Sequence, residues 1–163
     1  MRKAKHILAA LLLVALVACS SWAATAVFET SRVSGGVRPQ QLNNAIATST
    51  AVDTSGWKKV TFILATGAST TTLNCSLTEN TTPGGTFTAI TGAALVQIAS
   101  GAGNLCYAIQ LDLAPPRLRY VNAVVTAGNG AAGVFVTGAF LLEAGRYAPV
   151  TTDDKGLQQY IRR

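Results

Sequence analysis

Few side chains in this sequence could do chemistry. The one histidine, His6, stands in a greasy N-terminal stretch, "HILAALLLVALVACSSWAA" (6–24). A chain processed after that stretch keeps no histidine, which removes Ser-His-Asp and Cys-His catalysis and histidine metal sites. The carboxylates are Glu29, Asp53, Glu79, Asp112, Glu143, Asp153 and Asp154, and only the last two are neighbours. No catalytic, cofactor-binding or metal-ligating set follows from these spacings. A glycosidase-type pair would have to be brought together by the fold, and nothing around these residues suggests a sugar cleft. Gly128-Asn129-Gly130-Ala131-Ala132-Gly133 fits the dinucleotide pattern G-x-G-x-x-G. That site needs a helix next, to bring its N-terminus to the pyrophosphate, and an acidic residue about 20 residues on. Here the β-branched "VFVTGAFLL" follows, and Glu143 comes too early. The pattern predicts a glycine-rich hairpin loop.

Three cysteines carry the remaining chemistry. An exported chain could pair Cys75 with Cys106 as a disulfide. Alternation argues against it: Cys75 shares the apolar face of Leu73 and Leu77, whereas Cys106 shares a face with Gln110 and Asp112. A bulge near Gly103-Asn104 would turn Cys106 inward, and an edge position would leave it out. A disulfide and two free thiols are therefore both open. The third, Cys19, closes "LVAC" (16–19), which has the form of a bacterial lipobox. It is a candidate lipidation site if the chain is exported.

Arg2, Lys3 and Lys5 precede an unbroken apolar run from Ile7 to Ala18. A spanning helix needs about 20 apolar residues, so this shorter run reads as the core of a signal peptide. Ser21-Trp22-Ala23 and Ala24-Thr25-Ala26 offer small-x-small cleavage sites. The other reading is a retained hydrophobic helix that packs on a partner. Contact with a membrane is expected only through residues 1–24, retained or lipidated.

The 163 residues suit one domain with one core. Charged residues make up only 12%, half the roughly 25% usual in soluble domains. Such a chain is expected to hide surface in an assembly. The net charge of +6 includes Arg2, Lys3 and Lys5, and falls to +3 without them. No basic cluster interleaves with aromatics, so nucleic acid is not an expected partner. Lys58-Lys59 and Arg117/Arg119 read as solvated strand ends.

Apolar alternation recurs in short runs through the body. It is seen at Val60–Leu64, Leu73–Thr78, Phe87–Ile90, Leu95–Ile98, Leu105–Leu113, Leu118–Thr126 and Val134–Leu142, with a further strand near Ala45–Val52. "TPGGTF" (82–87), Pro115-Pro116 and "AGNGAAG" (127–133) punctuate them. The pattern predicts an all-β fold, an antiparallel β-sandwich or jelly roll of about eight short strands, because one-sided strands need two sheets to cover each other. The expected organisation is a signal-like segment over 1–24, an extended arm over 25–44, the sandwich over 45–150 and a polar tail over 151–163.

Three blocks are similar to a known family in order and spacing. "AVDTSGWKKVTFIL" (51–64), "SLTENTTPGGTFTAITGAAL" (76–95) and "PRLRYVNAVVTAGNGAAGVFVTGAFLLEAGRYAPV" (116–150) resemble the small head decoration, or cement, proteins of tailed bacteriophages. The matching residues are Val52, Asp53, Thr54, Gly56, Trp57, Phe62, Phe87, Arg119, Tyr120, Val121, Arg146, Ala148, Pro149 and Val150. The resemblance implies a non-enzymatic β-sandwich, with no cofactor, that binds the outer capsid surface. Its implied partners are the major capsid protein or other shell subunits and further copies of itself, as a trimer. A ligand of the assembled shell alone stabilises that shell by mass action. The resemblance implies a place in the virion. The signal-like N-terminus points instead to a secreted, periplasmic or outer-membrane-anchored β-sandwich that binds a ligand or joins a surface assembly.

Overall fold

A computed structural model describes residues 31–143, and the fold there is all-β. Its strands are β1 (Ser31–Ser34), β2 (Gln40–Leu42), β3 (Ile46–Thr48), β4 (Val52–Asp53), β5 (Lys59–Ser69), β6 (Leu73–Asn80), β7 (Thr88–Ala94), β8 (Cys106–Asp112), β9 (Tyr120–Ala127) and β10 (Val134–Glu143). The first sheet runs β1-β10-β5-β8, with β2 also on β10; the second runs β3-β9-β6-β7, with β4 also on β9. Every strand pairing is antiparallel.

Ten strands occupy eight lanes. β1 lies against residues 140–143 of β10 and β2 against residues 134–136 on the same side. Backbone bonds from Gly138 N to Val37 O and from Phe140 N to Gly35 O carry the lane between them. β3 and β4 share one side of β9 in the same way, joined by Ser49 N to Ala123 O. Counted along the chain, the lanes order as 1-8-3-6 and 2-7-4-5, the interleaved arrangement of an eight-stranded jelly roll.

Two expectations change here. The stretch expected as an extended arm (25–44) enters the fold from residue 31, as the first lane. Gly35-Gly36 and Pro39 break its alternation, which hid the strands, yet extended backbone beside the open side of β10 pairs. At Gly36 a Cβ would stand 1.9 Å from Gly138 O, so only glycine lets the lanes approach there. The glycine-rich loop 128–133 is a corner between sheets and joins no hairpin, since β9 and β10 lie in different sheets. The turn "TPGGTF" does close a hairpin, between β6 and β7.

The core lies between the sheets. Val60, Phe62, Leu64, Val134, Val136, Phe140 and Leu142 point inward from the first sheet, and Leu73, Leu77, Val121, Ala123 and Val125 from the second. Phe62 and Phe140 stand opposite each other across β5 and β10, with ring centroids 4.8 Å apart and planes tilted by 48°. Each is fully buried, which stabilises by about 1.5–3 kcal/mol per side chain. At Gly138 a Cβ would stand 2.5 Å from the Phe62 ring, so the missing side chain makes room for it.

Candidate functional site

Two motifs from the first and third blocks of the resemblance meet at one end of the sandwich. In "VDTSGW", Asp53 closes β4 and accepts a bond from Ser55 N at 3.0 Å, a turn-forming contact. Gly56 takes φ +83°, which a side chain would resist. Opposite, Arg119 grips Asp53 with both arms of its fork, Nε to Oδ1 at 3.0 Å and Nη2 to Oδ2 at 2.7 Å. The Arg119 guanidinium also lies 5.3 Å from the centre of the Tyr120 ring. Thr54 donates both N–H and hydroxyl to Arg119 O. Beside this latch, Glu79 pairs with Arg117 at 3.5 Å and accepts a bond from Leu118 N. Two carboxylates thus hold the segment Arg117–Arg119, with Arg119 still largely in solvent as expected and Arg117 more enclosed. Lys58 and Lys59 are exposed.

The Arg119 fork holds the Asp53 carboxyl below the usual carboxylate range. The folded value is depressed, so the pair's stabilisation is present above the unfolded value near 3.8 and is lost as pH falls through the folded one. The pair is solvent-exposed, so its worth is small. Asp53→Asn should lower the melting temperature slightly at pH 7, and the difference from the parent should shrink as pH falls below the unfolded value and vanish below the folded one. A difference that stays constant with pH would show that Asp53 acts by packing alone.

Trp57, half-buried, separates two shallow clefts. One, about 280 Å³, is lined by Thr54, Gly56, Leu118 and Arg119; the other, about 300 Å³, by Lys58, Lys59, Asp112 and Ala114. Both Arg117 and Arg119 are matched by carboxylates, so the first cleft carries little net charge. Among the described residues, no three of His, Cys, Asp or Glu converge as a metal would require.

The thiols do not meet. Cys75 is buried on β6 of the second sheet, and Cys106 is exposed on β8, an edge of the first; both are free. This corrects the candidate disulfide. The alternation set the two side chains on opposite kinds of face, and no bulge interrupts the β5–β8 register to turn Cys106 over. Burial pushes the Cys75 thiol up to about 12. A thiol reagent at neutral pH should therefore label Cys106 at once and Cys75 only on unfolding, read by peptide mass; rapid labelling of Cys75 in the folded chain would contradict the packing. Cys19 lies outside the described residues, as do Glu29, Asp153, Asp154 and the matched residues 146–150.

The outer face of the first sheet was not singled out by sequence. Its register puts Glu143, Lys59 and Asp112 in one row, with alternating charge. The next rows hold no charge: Leu141, Thr61 and Gln110; Ala139, Ile63 and Ala108; Thr137, Ala65 and Cys106. Phe135 follows beside Gln41. Ile63 is 42% and Phe135 58% exposed. The signal was present as an apolar residue at the solvent step of two strands, but the face required the order of the lanes.

No family model and no curated protein matches the chain. Among solved structures it is similar to a subunit of the disulfide-linked pili described as Bacillus endospore appendages, at 12% identity over 71% of this chain and 88% of that one, TM-score 0.42. It is similar to the enzymatically active domain of bacteriophage CBA120 tailspike protein 4, at 14% identity over 71% of this chain and 20% of that one, TM-score 0.41. It is also similar to a family 6 carbohydrate-binding module, at 17% identity over 71% and 83%, TM-score 0.33. At these scores none of them decides a function.

Proposed function

We propose that this chain is a non-enzymatic jelly-roll module that works by binding, as an exported subunit of a surface assembly. The observation that carries the reading is the outer face of the first sheet. Three successive rows without charge, with Ile63 and Phe135 open to solvent, are what a subunit contact needs and what a free monomer avoids. The basic, apolar and small-residue order of residues 1–24 supports export. Intact mass of the native protein reports processing directly, and a diacylglyceryl adduct would mark Cys19 as an anchor.

The double variant Ile63→Glu, Phe135→Glu tests the face. Both positions are exposed, so stability should change by no more than about 0.5 kcal/mol each. Protein added back to washed surface fractions of its source should lose attachment at least tenfold. Attachment equal to the parent's would sink the reading.

Capsid decoration is the second reading, and one observation favours it. Asp53 and Thr54 both bond to Arg119 in one latch, so residues matched separately in the resemblance serve a single contact. On this reading, capsids stripped of the protein release DNA at a lower temperature, and adding it back restores the parent value.

A further inference from the structure

Four edges flank the two sheets, and three of them are interrupted. The β1/β2 lane breaks at Gly35–Pro39, the β3/β4 lane breaks between Thr48 and Val52, and β7 shifts register against β6 between Ser76 and Thr78. The fourth edge, β8, pairs with β5 without a shift from Cys106 to Asp112. Natural sheets blunt such an edge with proline, lysine or a bulge. The sequence CYAIQLD has none of these, and its single charge, Asp112, stands at the end.

The phase of the ladder fixes which backbone groups are open. Thr66 N donates to Leu105 O at 2.9 Å, and Leu113 N to Lys58 O at 2.8 Å. In an antiparallel pair alternate residues face the partner strand, so Leu105, Tyr107, Ile109, Leu111 and Leu113 face β5. Cys106, Ala108, Gln110 and Asp112 turn N–H and C=O away from the sheet. None of those groups bonds to another strand among the described residues.

We propose that this edge pairs with a second copy of the chain, β8 to β8, antiparallel about a two-fold axis at Ile109. The strand is complementary to itself in that register. Ala108 faces Gln110 of the copy, and Cys106 faces Asp112 of the copy, so all four outward residues meet outward residues. Tyr107, Ile109 and Leu111 continue one apolar row across the junction. The two Asp112 carboxylates lie at opposite ends, so no like charges are opposed. The contact is isologous and closes on itself. It joins two four-lane sheets into one of eight. The proposal stands on the edge alone and is independent of the face reading above.

Sedimentation of the full chain over a concentration series tests it, with hydrogen exchange of the β8 amides. The parent should dimerise, and the Ala108 and Gln110 amides should gain protection as the dimer fills. Gln110→Lys sets two ammonium groups diagonally across the junction, and Ala108→Pro removes an outward donor. Each should weaken dimerisation at least tenfold, and circular dichroism checks that each still folds. Thr91→Lys, on the β7 edge, should leave the dimer unchanged. The proposal is overturned if Gln110→Lys dimerises like the parent, if Thr91→Lys disrupts equally, or if the parent stays monomeric. In a monomer, protected β8 amides would assign the edge to the chain's own terminal segments, and exposed ones would leave it unpaired.

Discussion

Phe140→Ala is expected to cost about 3–5 kcal/mol of folding stability, the range for aromatic truncation in a close-packed core. Phe140 has no exposed surface, stands in β10 at the middle of the first sheet, and meets Phe62 ring to ring. The neighbourhood has little means to collapse, because β10 is held by lanes on both sides. Against a total of about 5–15 kcal/mol for a typical domain, that loss decides whether the chain folds. Urea unfolding followed by tryptophan fluorescence measures it. Phe62→Ala should cost a similar amount, and the double variant less than the sum, since each ring is the other's neighbour. Strict additivity would mean the rings do not share a contact.

Gly133→Ala is the second large effect, and its cause is backbone. Gly133 takes φ +72°, and a Cβ there would stand 2.2 Å from Leu42 O. The left-handed conformation alone costs a side chain about 1–2 kcal/mol. The collision adds to it, because the atom struck is a backbone carbonyl at the end of β2 and cannot rotate away. Thr70 N donates to Gly133 O at 3.0 Å, so the corner is also tied to the β5–β6 connection. Gly56→Ala makes the comparison, since it shares the positive φ but meets nothing within 4 Å. Gly133→Ala should fall further in urea midpoint than Gly56→Ala; equal losses would remove the collision from the account.

The all-β class was legible because burial follows alternation where a strand has one wet face. Leu105–Leu113 predicted β8 almost to the residue, and its burial alternates. The same rule placed Cys106 outward and told against a disulfide. Other features depend on partners distant in sequence. β1 and β2 carry no sustained period and are strands because β10, about 100 residues later, lends them a side. The loop 128–133 has hairpin composition, yet the sheet assignment of its flanks makes it a corner. Asp53 and Arg119 are 66 residues apart, and each reads alone as an ordinary surface charge. The uncharged outer face emerges only when β10, β5 and β8 are set side by side.

The lane order has a consequence for synthesis. The last described strand, β10, lies between the first lane and β5. While the chain is being made, the first sheet lacks its middle, and β1 and β2 have nothing to pair with. Neither Phe62 nor Leu42 has its full set of neighbours until β10 emerges, because Phe140 lies opposite Phe62 and Val134 opposite Leu42. Pairings so distant form slowly. The first sheet of a ribosome-bound chain is therefore kept incomplete by its own topology while the second can already form, and it closes only once the last described strand has emerged.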